Sequence, residues 1–141
     1  MAEGLLNHYG KAKIKAYSAG SKPTGNVHPK SLSTLKKNGI NSSDFRSKSW
    51  DEFKDHEIDV VITVCDNAAG EICPVFYGSP IKTHWGVPDP AHFIGSEAEI
   101  DAEFERVFRM LEERVKLFFA LPIANLSKEQ LKIKLDEIGK I

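Results

Sequence analysis

Cysteine is scarce in this chain of 141 residues: there are two, Cys65 and Cys73, and both lie between positions 60 and 74. Two cysteines in a cytoplasmic chain would normally stay reduced, so a transient, catalytic disulfide is of more interest than a structural one. An excess of either charge is missing too, since nineteen Lys and Arg stand against twenty Asp and Glu, interspersed along the chain. That leaves no basic face for nucleic acid or an anionic membrane. The longest apolar run is far short of a membrane span. The amino terminus carries Glu3 where a secretory signal would have Lys or Arg, and it has no apolar h-region, so a cytoplasmic protein is expected. Histidines 28, 56, 84 and 92 are scattered without a His-x3-His pair, so neither metal nor other cofactor is expected. With 41% hydrophobic and 28% charged residues, what remains is an ordinary globular composition, expected as one domain over residues 1–141.

The most apolar stretch, Val60-Val61-Ile62-Thr63-Val64, shows no alternation, as a strand buried on both faces of a parallel sheet would. A strand is expected over residues 58–64, and Cys65 then stands at its carboxyl end, where open α/β sheets collect ligands. A second strand is expected from the alternation of residues 13–18, and a third over 80–85, closed by Gly86-Val87-Pro88-Asp89-Pro90. Helices are expected over residues 1–9 with Gly10 as the stop, and from Pro29 to a Gly39 stop. Ser49 with Glu52, Ser96 with Glu99, and Ser127 with Gln130 each spell a capping box, the first expected to start a short helix that ends near Asp55-His56. After Ser96 come Ile100, Phe104, Val107, Phe108, Leu111, Val115 and Phe118 at spacings of three and four, the strongest helical pattern in the chain.

Cys-x7-Cys matches neither a zinc knuckle nor a thioredoxin-like Cys-x2-Cys. By spacing alone it is as readily one strand-end thiol and one loop thiol as a redox couple. If residues 66–72 coil as helix, the two positions start about 12 Å apart, whereas a disulfide needs Cα atoms within about 7 Å, so pairing requires unwinding. A helix starting at Asp66 would favour the Cys65 thiolate through its dipole, against the charge of Asp66 itself. Asp89 lies between two prolines. That fixed backbone can aim a carboxylic acid into a cleft, or simply cap a turn.

Taken together, Met1-Ala2-Glu3-Gly4, Ser18-Ala19-Gly20, Val27-His28-Pro29, Arg46-Ser47-Lys48-Ser49, Thr63-Val64-Cys65-Asp66 with Cys73-Pro74, and His84-Trp85-Gly86 with Asp89-Pro90 resemble the arsenate reductases built on the low-molecular-weight tyrosine phosphatase fold. The resemblance covers essentially the whole chain. It implies an α/β fold, a small parallel sheet flanked by helices, and an oxidoreductase that works through three thiols. A cysteine in a Cys-x5-Arg loop attacks arsenate; Cys65 attacks that cysteine and releases arsenite; Cys73 then attacks Cys65. Thioredoxin or glutaredoxin reduces the resulting Cys65–Cys73 disulfide. Asp89 matches the family's general acid. A tyrosine phosphatase of the same fold would have no use for the paired cysteines and would carry an aromatic near Asp-Pro, where Ala91 and His92 stand. A non-catalytic, redox-sensitive remnant is the other alternative.

The sequence contains no Cys-x5-Arg. The resemblance places that motif and the strand before it immediately upstream of Met1, so the expectation is an amino-terminally incomplete domain, missing its first strand and phosphate-type loop and inactive alone. Loss of a central strand would leave two neighbours with unpaired edges. Some family members hold a monovalent cation beside that loop. Glu3, Ser18 and Lys48 fall in the matching neighbourhood, with the Lys48 ammonium expected in place of the cation, or merely solvated.

Overall fold

The computed structural model describes residues 1–11, 13–19, 27–41, 49–53, 55–64 and 79–141, with the backbone alone at Trp50. Two strands, β1 (Val60–Thr63) and β2 (Ile81–His84), pair in parallel with Val60 opposite Ile81 and Thr63 opposite His84. Four α-helices accompany them among these residues: α1 (Ala2–Gly10), α2 (Pro29–Lys37), α3 (Glu97–Ala120) and α4 (Lys128–Gly139).

Helix ends follow local chemistry. In α3 the Ser96 hydroxyl accepts from the Glu99 N–H at 3.2 Å while the Glu99 carboxylate accepts from the Ser96 N–H at 3.1 Å. Ser127 and Gln130 repeat the arrangement at α4. These reciprocal bonds satisfy amide donors that helix geometry leaves open. At α2 the His28 ring accepts from the Lys30 N–H, and Gly39, at φ 73°, lets the Ile40 N–H reach back to the Leu35 carbonyl at 3.0 Å. That left-handed turn is the closure for which glycine is suited.

Three sequence expectations need correction. Residues 13–18 form no strand; the side-chain amide of Asn7 brackets Ala16, donating to its carbonyl at 3.0 Å and accepting from its N–H at 2.9 Å. Alternation alone does not make a strand, and here one side chain of α1 satisfies the backbone that a neighbouring strand would have. The strand expected over 58–64 is the four residues of β1, half-buried throughout, because β1 pairs with β2 alone among the described residues. Ser49 caps by accepting from the Asp51 N–H at 3.2 Å, and it opens a single 3-10 turn, Trp50–Phe53, too short for an α-helix. A smaller difference is at α1, where Gly10 is the last helical residue and Lys11, at φ 44°, takes the left-handed position.

The core lies along one face of α3. Val107, Phe108, Leu111, Val115 and Phe118 are buried against Leu5 of α1, Leu35 of α2, Trp85, and Leu135 and Ile138 of α4, while Phe104, also buried, meets the His28 ring. Trp85 is 1% exposed, and its indole N–H donates to the Leu135 carbonyl at 3.0 Å. The buried Arg114 donates to the Gly86 carbonyl and to the Ile141 main-chain oxygen, while burial pushes its guanidinium below the usual range. No helix among the described residues is long and apolar enough to cross a membrane.

Helix α4 covers the edge of β2 that β1 leaves open. Lys132 donates to the Lys82 carbonyl at 3.0 Å and Lys128 to the Ser79 carbonyl at 2.6 Å. Gly139 completes the contact, since a Cβ placed there would sit 2.3 Å from the His84 carbonyl oxygen. Helix propensity alone would favour alanine over glycine by about 1 kcal/mol. Overlap with a backbone atom outweighs that gain, so Gly139→Ala is expected to destabilise the protein by about 1–3 kcal/mol, read from urea unfolding. A more stable variant would show that α4 does not seat on β2 this closely.

Candidate functional site

Parallel pairing brings the carboxyl ends of β1 and β2 to one side of the sheet. There the register sets Thr63 opposite His84, and the Thr63 hydroxyl and His84 Nδ1 share a hydrogen bond of 2.7 Å. The ladder continues beyond the strands. Trp85 donates its N–H to the Thr63 carbonyl and Val87 donates to the Val64 carbonyl, both at 2.8 Å. The segment entering Asp89 is therefore fastened to the residue that precedes Cys65 in the chain.

Asp89 begins a 3-10 turn, Pro90–His92. One carboxylate oxygen accepts from the Ala91 N–H at 3.0 Å, so the turn-capping role is real. The other, Oδ2, stands 3.6 Å from His92 Nδ1, and the side chain remains 44% exposed. One oxygen thus holds the backbone while its partner stays open to chemistry. Asp-Pro geometry permits both readings at once.

Glu3 and Ser18 do meet, although fifteen residues separate them: the Ser18 hydroxyl donates to a Glu3 carboxylate oxygen. The first turn of α1 supplies the acid and the irregular segment after it supplies the hydroxyl. Lys48 lies outside the described residues, as do Cys65 and Cys73. Among the described residues no group of three or more His, Cys, Asp or Glu is placed to hold a metal ion.

Two partners at the carboxyl ends were not foreseen as such. The Thr63–His84 bond depends on strand register, which spacing along one chain does not reveal. The approach of His92 to Asp89 had a local signal, an Asp-x-x-His spacing that a tight turn folds back on itself. Where α4 meets β2, Thr83 donates to Asp136 at 2.7 Å, and this bond, with Lys132 beside it, holds the Asp136 carboxyl below its ordinary range. That carboxylate ties α4 to β2 and lies away from the Asp89 turn in the chain.

Comparison with known proteins agrees with this architecture. The arsenate reductase of Halalkalibacterium halodurans is 35% identical over 118 residues, which is 84% of either chain. That of Bacillus subtilis is 36% identical over 118 residues with the same shares. A solved arsenate reductase in the reduced state superposes with a TM-score of 0.66 at 27% identity, covering 84% of this chain and 85% of that one. A thioredoxin-dependent arsenate reductase of Corynebacterium glutamicum gives 0.50 at 26% identity, covering 82% of this chain and 54% of that one. The expected α/β fold, a small parallel sheet flanked by helices, is what these neighbours share with it. The low molecular weight phosphotyrosine protein phosphatase family matches residues 1–132, and with such relatives along most of its length the chain belongs to that family.

Proposed function

We propose that residues 1–141 form part of an arsenate reductase of the thiol-relay type, in the cytoplasm, with thioredoxin as reductant, and supply its second and third thiols. The observation that carries the reading is the Val87–Val64 bond of 2.8 Å, which sets the Asp89 turn beside the strand leading to Cys65, in a chain whose relatives are arsenate reductases. The thioredoxin-dependent neighbour favours that reductant over glutaredoxin.

In the relay, a first cysteine attacks arsenic while Asp89 gives its proton to the departing oxygen. The Cys65 thiolate then attacks the sulfur of that adduct. A disulfide forms, the sulfur–arsenic electron pair stays with arsenic, and arsenite leaves reduced by two electrons. The Cys73 thiolate attacks Cys65, frees the first thiol and leaves a Cys65–Cys73 disulfide for the dithiol of thioredoxin. The family resemblance assigns the first cysteine to a Cys-x5-Arg loop, a motif absent from the 141 residues. Residues 1–141 alone are therefore expected to lack arsenate turnover.

A fusion supplying the strand and Cys-x5-Arg loop ahead of Met1 is expected to reduce arsenate in the presence of thioredoxin, thioredoxin reductase and NADPH. Cys65→Ser and Cys73→Ser should each abolish steady turnover, and Asp89→Asn should lower kcat by about a hundredfold or more. Arsenate-dependent loss of two hydrogens from the Cys65 and Cys73 peptides is the matching mass signature. Hydrolysis of an aryl phosphate without arsenate reduction, indifferent to both serine variants, would instead establish a phosphatase.

Glu3, Ser18 and Lys48 are proposed as a cation site in which the lysine ammonium takes the ion's place. The Glu3–Ser18 hydrogen bond supports the first two as neighbours. The fusion should then respond no more to potassium than to another salt of equal ionic strength, and Lys48→Met should create a potassium requirement. Strong potassium activation of the parent would contradict the substitution.

A further inference from the structure

A general acid turns over only if its proton is replaced in every cycle. Around Asp89 the turn provides a means of doing so. The His92 N–H bonds to the Asp89 carbonyl and the Phe93 N–H to the Pro90 carbonyl, both at 3.2 Å, closing the turn. With Oδ1 committed to the Ala91 N–H, Oδ2 is the oxygen left beside His92 Nδ1, at 3.6 Å. The His92 side chain is 77% exposed, so its far nitrogen meets bulk water.

We infer that His92 is a positioning residue that returns a proton from solvent to Asp89 after each transfer to the leaving oxygen. The inference rests on Asp89 being the general acid of the proposed arsenate reduction. The step balances without redox change: the His92 Nδ1–H bond breaks, an Asp89 Oδ2–H bond forms, and the neutral imidazole is reprotonated by water or a buffer acid. The turn packs on α3, whose charged groups at the amino end are engaged elsewhere. Glu97 and Asp101 both hold Lys30 at 2.5 Å, and Glu99 closes the capping box.

Two measurements test the pair and the relay separately. In residues 1–141, long-range proton–nitrogen spectra in mildly alkaline solution should show the neutral His92 ring carrying its proton on Nδ1, because a carboxylate faces that nitrogen, and Asp89→Ala should move it to Nε2. A parent ring protonated on Nε2 would overturn the pair. In the fusion that supplies the Cys-x5-Arg loop, His92→Ala should lower kcat for arsenate reduction about tenfold in weak buffer, with KM little changed, since Asp89 itself remains. Added imidazole should restore the rate, which a purely structural role would not allow. Undiminished turnover in His92→Ala, or a loss that imidazole leaves in place, would overturn the relay while the function stands. Absence of arsenate reduction in the unsubstituted fusion would overturn the function itself and the relay with it.

Discussion

The parallel ladder between β1 and β2 is the constraint on which the rest depends. It is short, four residues in each strand, yet its bonds run on through Trp85 to Thr63 and Val87 to Val64. A ladder of that kind leaves little freedom to the segment after β2. The Trp85 indole is thereby delivered into the core, and Asp89 is delivered to the carboxyl end of the sheet. The same backbone bonds thus serve packing on one side and chemistry on the other.

Helices stabilise this arrangement by occupying what the two strands leave open. Helix α3 supplies the apolar face, and α1, α2 and α4 each lean on it. Helix α4 shields the outer edge of β2 with two lysines and a glycine, a way of protecting an edge that would otherwise offer its carbonyls to another chain. Charged groups join the elements at the surface. Lys30 of α2 grips Glu97 and Asp101 of α3, which holds the lysine's proton more tightly and pushes the Asp101 carboxyl down. Arg109 likewise reaches Asn38 across the helix pair while bonding Glu112, whose other oxygen accepts from Tyr9 of α1.

Much of this was legible in the order of residues. The capping boxes at Ser96 and Ser127, and the apolar spacing from Ile100 to Phe118, are local features: each is complete within one or two helical turns or repeats from turn to turn, so sequence is enough. The Gly39 stop is equally local. Residues 13–18 show the opposite case. They alternate as a strand does, but a strand exists only by pairing, and Asn7 of α1 met the backbone instead.

For the candidate site, residue types and the family resemblance singled out Cys65, Cys73, Asp89, Glu3, Ser18 and Lys48 from the sequence, because reactive groups and fixed-backbone prolines carry their chemistry wherever they stand. The tertiary structure decided which of the described groups meet. Ser18 finds Glu3, Thr63 finds His84, and His92 turns back to Asp89. Chemical capacity is a property of each side chain and can be read along the chain. Proximity across elements is set by strand register, by the closure of a turn and by which helix covers which edge, and only the folded chain determines those.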